Sequence, residues 1–143
     1  MKSLTEVNVN ETVKAGAKAV WDILSDFGGI KVGGPIEAFE MEGDGVGAVR
    51  TITMNGGKII ERLDILDEAT LTFAYSILND DCPLPVSSYR STVIITPNDD
   101  GSCTVDWTGT FEPKGADEET ASKVVRGIYS NGIARAKNTT EAR

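Results

Sequence analysis

Between residues 36 and 111 polar and apolar side chains alternate with a period of two, and after Pro113 the period becomes that of a helix. A period of two places successive side chains on opposite faces of a strand. Strands are predicted at 36–42, 47–54, 58–67, 70–78, 88–97 and 102–112. Turn sequences separate most of them: Gly43-Asp44-Gly45, Asn55-Gly56-Gly57, Asp67-Glu68 and Pro97-Asn98-Asp99-Asp100-Gly101. Links this short join antiparallel neighbours, since a parallel pair needs a crossover of about a dozen residues or more. Asn55-Gly56 suits a type I′ hairpin, whose two central residues both need positive φ. The longer link 79–87 carries Pro83 and Pro85 and is expected to form a loop at one rim.

The ends of the chain complete the layout. Residues 5–13 alternate around Val7 and Val9 and read as a further strand. In 15–27, Ala19, Val20, Ile23, Leu24 and Phe27 share one helical stripe, and Lys18, Asp22 and Asp26 the opposite one. The run Gly28-Gly29-Ile30-Lys31-Val32-Gly33-Gly34-Pro35 ends that helix in irregular backbone. Past Pro113, Asp117 is the expected N-cap, with Glu118 and Glu119 in the first turn and Arg135 and Lys137 in the last. Ala121, Val124, Val125, Ile128, Tyr129, Gly132, Ile133 and Ala136 form its apolar stripe, and the tail 138–143 is expected to fray. The expected fold is α+β, one domain over 1–143. A curved seven-stranded antiparallel sheet surrounds a long C-terminal helix, with a short helical segment after the first strand. Where sheet and helix part, a hollow remains for a small, largely apolar ligand.

Composition removes several alternatives. Lys and Arg number 14 against 22 Asp and Glu, a net charge of −8, and no basic cluster offsets it, so no nucleic-acid partner is expected. No stretch approaches the roughly 20 apolar residues of a membrane span, and residues 1–13 carry no apolar run of signal-peptide length. A cytoplasmic location is expected. Histidine is absent, which excludes His-based triads and His metal ligands. Cys82 and Cys103 lack metal-type spacing and are read as reduced thiols. The carboxylates show no metal-loop spacing, and Gly43-Asp44-Gly45-Val46-Gly47 leads into a strand, so it is not a phosphate loop. No metal and no cofactor are expected.

Four stretches carry a family resemblance: Val20-Trp21-Asp22-Ile23-Leu24-Ser25-Asp26-Phe27, Glu61-Arg62-Leu63-Asp64-Ile65-Leu66-Asp67, Tyr89-Arg90-Ser91 and Pro113-Lys114-Gly115. They resemble the START/Bet v 1-like (SRPBCC) superfamily. Within it the chain is similar to the bacterial polyketide cyclase/dehydrase and lipid-transport family and, more distantly, to the plant abscisic-acid receptors. The resemblance implies the helix-grip fold, a cavity between sheet and C-terminal helix, and a hydrophobic ligand. It implies no reaction, because this fold hosts carriers, receptors and enzymes. By position it places ligand-binding residues at Lys31, Ile52, Met54, Glu61, Tyr75, Ile77, Tyr89, Ser91, Asp106, Val124, Ile128 and Gly132. The receptors' gate loop is replaced by the shorter Asn55-Gly56-Gly57 and their latch by Leu84-Pro85-Val86, so hormone sensing of that kind is not expected.

Among these residues Glu61 has the parity of Leu63 and Ile65, so it needs a partner, a purpose or a place at the rim in water. For residues 104–110 two arguments conflict. Hydrophobicity turns Trp107 inward. The resemblance turns Asp106 inward together with Thr104, Thr108 and Thr110, and that is the expectation adopted, with Trp107 on the outer face. Tyr75 and Tyr89 offer rings and hydroxyls to orient a ligand oxygen, and Lys31 reads as a solvated lysine, an anion partner or a Schiff-base former.

Three functions follow. The first is binding of an aromatic, polyketide-like or terpenoid metabolite. The second is a cyclase, dehydratase or isomerase, with Glu61 or Asp106 as general acid or base and Tyr89 stabilising an oxyanion. The third is an interaction module or homodimer built on an outer sheet face with Trp107 and Ile94.

Overall fold

The computed structural model describes residues 4–141, so Ala142 and Arg143, at the end of the tail expected to fray, lie outside the described residues. The chain runs β1 (Thr5–Val13), α1 (Ala17–Leu24), β2 (Ile36–Glu42), β3 (Val49–Met54), β4 (Gly57–Asp67), β5 (Thr72–Ile77), β6 (Val86–Pro97), β7 (Cys103–Pro113) and α2 (Glu118–Thr140). The strands form one sheet in the order β1-β7-β6-β5-β4-β3-β2, every adjacent pair antiparallel. From β2 to β7 the order in space is the order in sequence, as short turns require, and β1 returns to pair with β7. Bulges in β4 after Leu63 and in β6 after Ser87 bend their strands, and that coiling gives the sheet its concave face.

Local rules set most of the boundaries. At the β3–β4 turn, Asn55 has φ 53° and Gly56 φ 74°, and Met54 pairs with Gly57, the geometry of a two-residue I′ hairpin. The Asp117 side chain caps α2 by accepting from the Thr120 amide at 2.8 Å, and Glu118 and Glu119 follow it in the first turn. Helix α1 is shorter than its apolar stripe. Gly16 precedes it without a side-chain cap, and Ser25 closes it by bonding the Trp21 carbonyl through both its amide and its hydroxyl. The tail expected to fray stays helical through Thr140, where the Thr139 and Thr140 hydroxyls bond the carbonyls of Arg135 and Ala136.

Helix α2 lies across one part of the sheet, against β1, β7 and α1. Its buried residues are Ala121, Val125, Tyr129, Ile133 and Ala136, which face the wholly buried Val7, Val105 and Phe111. Val124 and Ile128, included in the predicted stripe, are instead 36% and 37% exposed, because the sheet curves away beneath that side of the helix. Among the described residues no helix is long and apolar enough to cross a membrane.

Candidate functional site

A cavity of about 520 Å³ opens where α2 and the middle strands part, a size within the usual range for small-molecule sites. Its walls come from Ile23 and Leu24 of α1, from Ile30, Lys31 and Ile36 in and after the glycine-rich segment, and from Ile52, Phe73 and Tyr75 of the sheet. Trp107, Ile128 and Gly132 complete the apolar lining, and Asp26, Arg50, Glu61, Arg135 and Thr139 supply the polar groups.

The centre of the polar part is an ion pair. Arg50 and Glu61 stand directly opposite on β3 and β4, and Arg50 Nε donates to Glu61 Oε1 at 2.8 Å. Their side chains are only 14% and 8% exposed. Arg50 Nη1 also donates to the Phe27 carbonyl at 3.1 Å, and its guanidinium lies 3.9 Å from the centroid of the Phe27 ring and 5.4 Å from that of Tyr75. Desolvating a lone carboxylate costs several kcal/mol, so the arginine is what permits Glu61 to occupy the concave face. The hairpin turn sets this pairing: counting back along both strands from Met54 and Gly57 brings Arg50 opposite Glu61. The sequence therefore held the signal for Arg50, although the prediction considered Glu61 alone.

Beyond the cavity lining lies a set of buried hydroxyls. Tyr75, Ser91 and Gly109 are successive cross-strand partners on β5, β6 and β7. A Cβ on Gly109 would collide with the Tyr129 hydroxyl, so the glycine makes the recess into which that hydroxyl drops. There Tyr129 Oη shares a 2.5 Å hydrogen bond with Tyr89 Oη. Burial pushes the phenol pKa values of Tyr75, Tyr89 and Tyr129 up from the ordinary 10. The charge of Glu61 adds to the rise at Tyr75, and the neighbouring Tyr75 adds to it at Tyr89 and Tyr129. All three remain neutral phenols well into the alkaline range.

Of the residues predicted to bind ligand, Lys31, Ile52, Glu61, Tyr75, Ile128 and Gly132 line the cavity. Met54, Ile77, Tyr89, Ser91 and Val124 do not. Met54 and Ile77 pack against the margin of the core, Tyr89 and Ser91 lie behind the lining, and Val124 faces outward one turn before Ile128.

Asp106 is a correction. It lies on the outer face, where Oδ1 accepts from Asn8 Nδ2 of β1 at 2.6 Å, and Asn8 Nδ2 also reaches Thr108 Oγ1 at 2.8 Å. Val105, Trp107 and Phe111 are buried on the concave side. Alternation decides the matter, because one register turns either the indole or the carboxylate inward, and burying the indole is favourable where burying an unpaired carboxylate is costly. Asp106 therefore cannot act on a molecule in the cavity. Trp107 cannot supply an outer association surface, although Ile94 on that face is 40% exposed. Among the described residues no three His, Cys, Asp or Glu side chains gather as a metal site would need.

With this geometry in place, the profile of the family described as "Polyketide cyclase / dehydrase and lipid transport" matches residues 5–141. The chain belongs to that family. Over 89 residues it is 36% identical to the Dau c 1 isoallergen Dau c 1.0401 of Daucus carota subsp. sativus, a match covering 57% of each protein, so it spans little more than half of that curated relative. Protein XoxI of Bacillus cereus superposes with a TM-score of 0.81 at 26% identity, over 95% of both chains. Norcoclaurine synthase of Thalictrum flavum shares the fold at 18% identity and a TM-score of 0.76, over 96% of this chain and 86% of that one. The seven-stranded antiparallel sheet and long C-terminal helix described above match the Bet v 1-like helix-grip fold.

Proposed function

We propose that this chain is a ligand-binding domain. It takes up a small, largely apolar molecule, of aromatic, polyketide-like or terpenoid kind, that carries one neutral oxygen-bearing group. The observation that carries this reading is the buried Arg50–Glu61 pair in the wall of a cavity lined mainly by apolar and aromatic side chains. The pair has no net charge, so a charged ligand end gains little from it. A hydroxyl gains more, since it donates to the carboxylate and accepts from the guanidinium, and a carbonyl accepts from the guanidinium alone. Asp26, Lys31 and Arg135 are also in the lining and add further hydrogen-bond partners for an oxygen-bearing end. The free thiols of Cys82 and Cys103 support a reducing, cytoplasmic setting.

Acid–base catalysis by paired carboxylates is less well supported, since Asp106 faces away and Tyr89 is committed to Tyr129. Glu61 is the one residue of that mechanism at the cavity wall, and it is held by Arg50.

Decanol is a suitable first probe. It should raise Tm in a dose-dependent, saturable way, and native mass spectrometry should show one molecule per chain. A folded protein that no member of a panel of apolar alcohols, ketones and phenols stabilises would overturn the proposal.

A further inference from the structure

Trp107 has a position that neither a core residue nor a simple cavity wall requires. One side of the indole lines the cavity. Its Nε1 donates to Ser91 Oγ at 2.8 Å, its ring stacks on Tyr129 at 4.8 Å between centroids with 13° between planes, and Tyr129 continues to Tyr89. The ring also fits closely against α2. A Cβ on Gly132 would stand 2.8 Å from Trp107 Cζ3, nearer than side-chain carbons approach, so the glycine is what lets the edge of the indole's six-membered ring reach the helix. The indole is thus fixed on three sides, by a hydrogen bond, a stack and a missing side chain. Behind it lie the Ser91, Tyr89 and Tyr129 hydroxyls, and none of these three residues lines the cavity.

Given the ligand-binding reading above, on which this depends, we infer that Trp107 is a partition that limits the depth of the cavity and thereby sets the longest molecule the protein admits. The hydroxyls behind it form a polar floor that a shorter side chain at this position would uncover. Four neutral donors and acceptors stand close together there, counting the Tyr75 phenol, which is at once in the lining and 6.2 Å ring to ring from Tyr89. Such a floor can both donate to and accept from a second oxygen, because burial holds the phenols in their protonated form. The partition therefore divides ligands by class: compounds with one polar end fit in front of the indole, and longer ones with a polar group at each end require its removal.

The test measures affinity for the straight-chain primary alcohols from hexanol to tetradecanol. In the unaltered protein affinity should rise by about fourfold for each added methylene until one chain length, and then stop rising. Trp107→Leu should move that break to a longer alcohol, and the matching α,ω-diols should gain more than the mono-alcohols do. Trp107→Phe keeps a ring for Tyr129 to stack on and guards against loss of folding; its break should move in the same direction by less. A structural role alone would weaken every alcohol equally and leave the break in place. A break unchanged in the folded Phe variant would overturn the inference while leaving the ligand-binding reading intact. Binding of no alcohol of any length by the unaltered protein would overturn both.

Discussion

The two parts of the sheet treat their concave face differently. On β1 and β7 the face is closed by α2: Val7, Val105, Phe111, Val125 and Tyr129 are wholly or almost wholly removed from water, and Gly109 lets the helix side chain come down to the strand backbone. On β3, β4 and β5 no helix lies directly over the sheet. The same face there carries a buried ion pair and an open volume. The contrast shows where stability and function reside. Close packing holds the helix at one side, and its reach across the curved sheet leaves a hollow at the other, so the site exists because the grip is one-sided.

This comparison can be broken by unequal responses to mutation. The largest effect belongs to the closed part. Phe111→Ala should cost about 4 kcal/mol, measured by denaturant unfolding, because the tightly packed surroundings cannot collapse into the space. Next is Arg50→Met, which strands the Glu61 charge and should cost about 3 kcal/mol, whereas Arg50→Met with Glu61→Leu together should return most of it. A double variant no more stable than the single one would show that the pair is not coupled. Glu61→Gln is smaller, about 1 kcal/mol in stability, yet it should weaken decanol about tenfold, because a cavity residue affects binding more than folding.

Two titrations sharpen the picture further. The chain's three tyrosines, Tyr75, Tyr89 and Tyr129, all have raised pKa values. A folded-state value above the unfolded one means that the stability these phenols contribute is complete below about pH 10 and is lost as pH rises past it. Ultraviolet titration should therefore show no tyrosinate at the ordinary phenol range, and then all three ionising together as the protein unfolds. One tyrosine titrating normally in the folded protein would contradict the hydroxyl cluster. The smallest effect is at the helix cap. The Thr120 hydrogen bonds hold the Asp117 carboxyl below its usual value, so its contribution is present above that value and lost as pH falls through the folded one. The Tm deficit of Asp117→Ala should accordingly shrink on acidification.

Much of the fold was legible in the sequence. Asn55-Gly56, Asp117 and the change of period after Pro113 each carry a local physical requirement that leaves little choice of structure. The site was harder to read. Arg50 was missed because its meaning lies in register, which emerges only when the hairpin is counted back to Glu61. Asp106 was turned inward because likeness to distant relatives outweighed a run of alternating residues whose own pattern favoured Trp107. Val124 and Ile128 share one helix stripe, yet Ile128 alone reaches the cavity, because sheet curvature and not helix periodicity decides which turn faces the hollow. Ile30 and Lys31 lie in the glycine-rich segment, where no periodicity marks a face, and Ile36 opens β2 just after it; of these the resemblance marked Lys31 alone.

The most direct test of the account is an amide NMR titration with decanol. Saturable shifts should gather at Ile52, Glu61, Tyr75 and Gly132 and spare Asn8, Asp106 and Thr108 on the outer face. The reverse pattern, or no saturable shift at any ratio, would mean that the hollow beneath α2 is not where this protein meets its ligand.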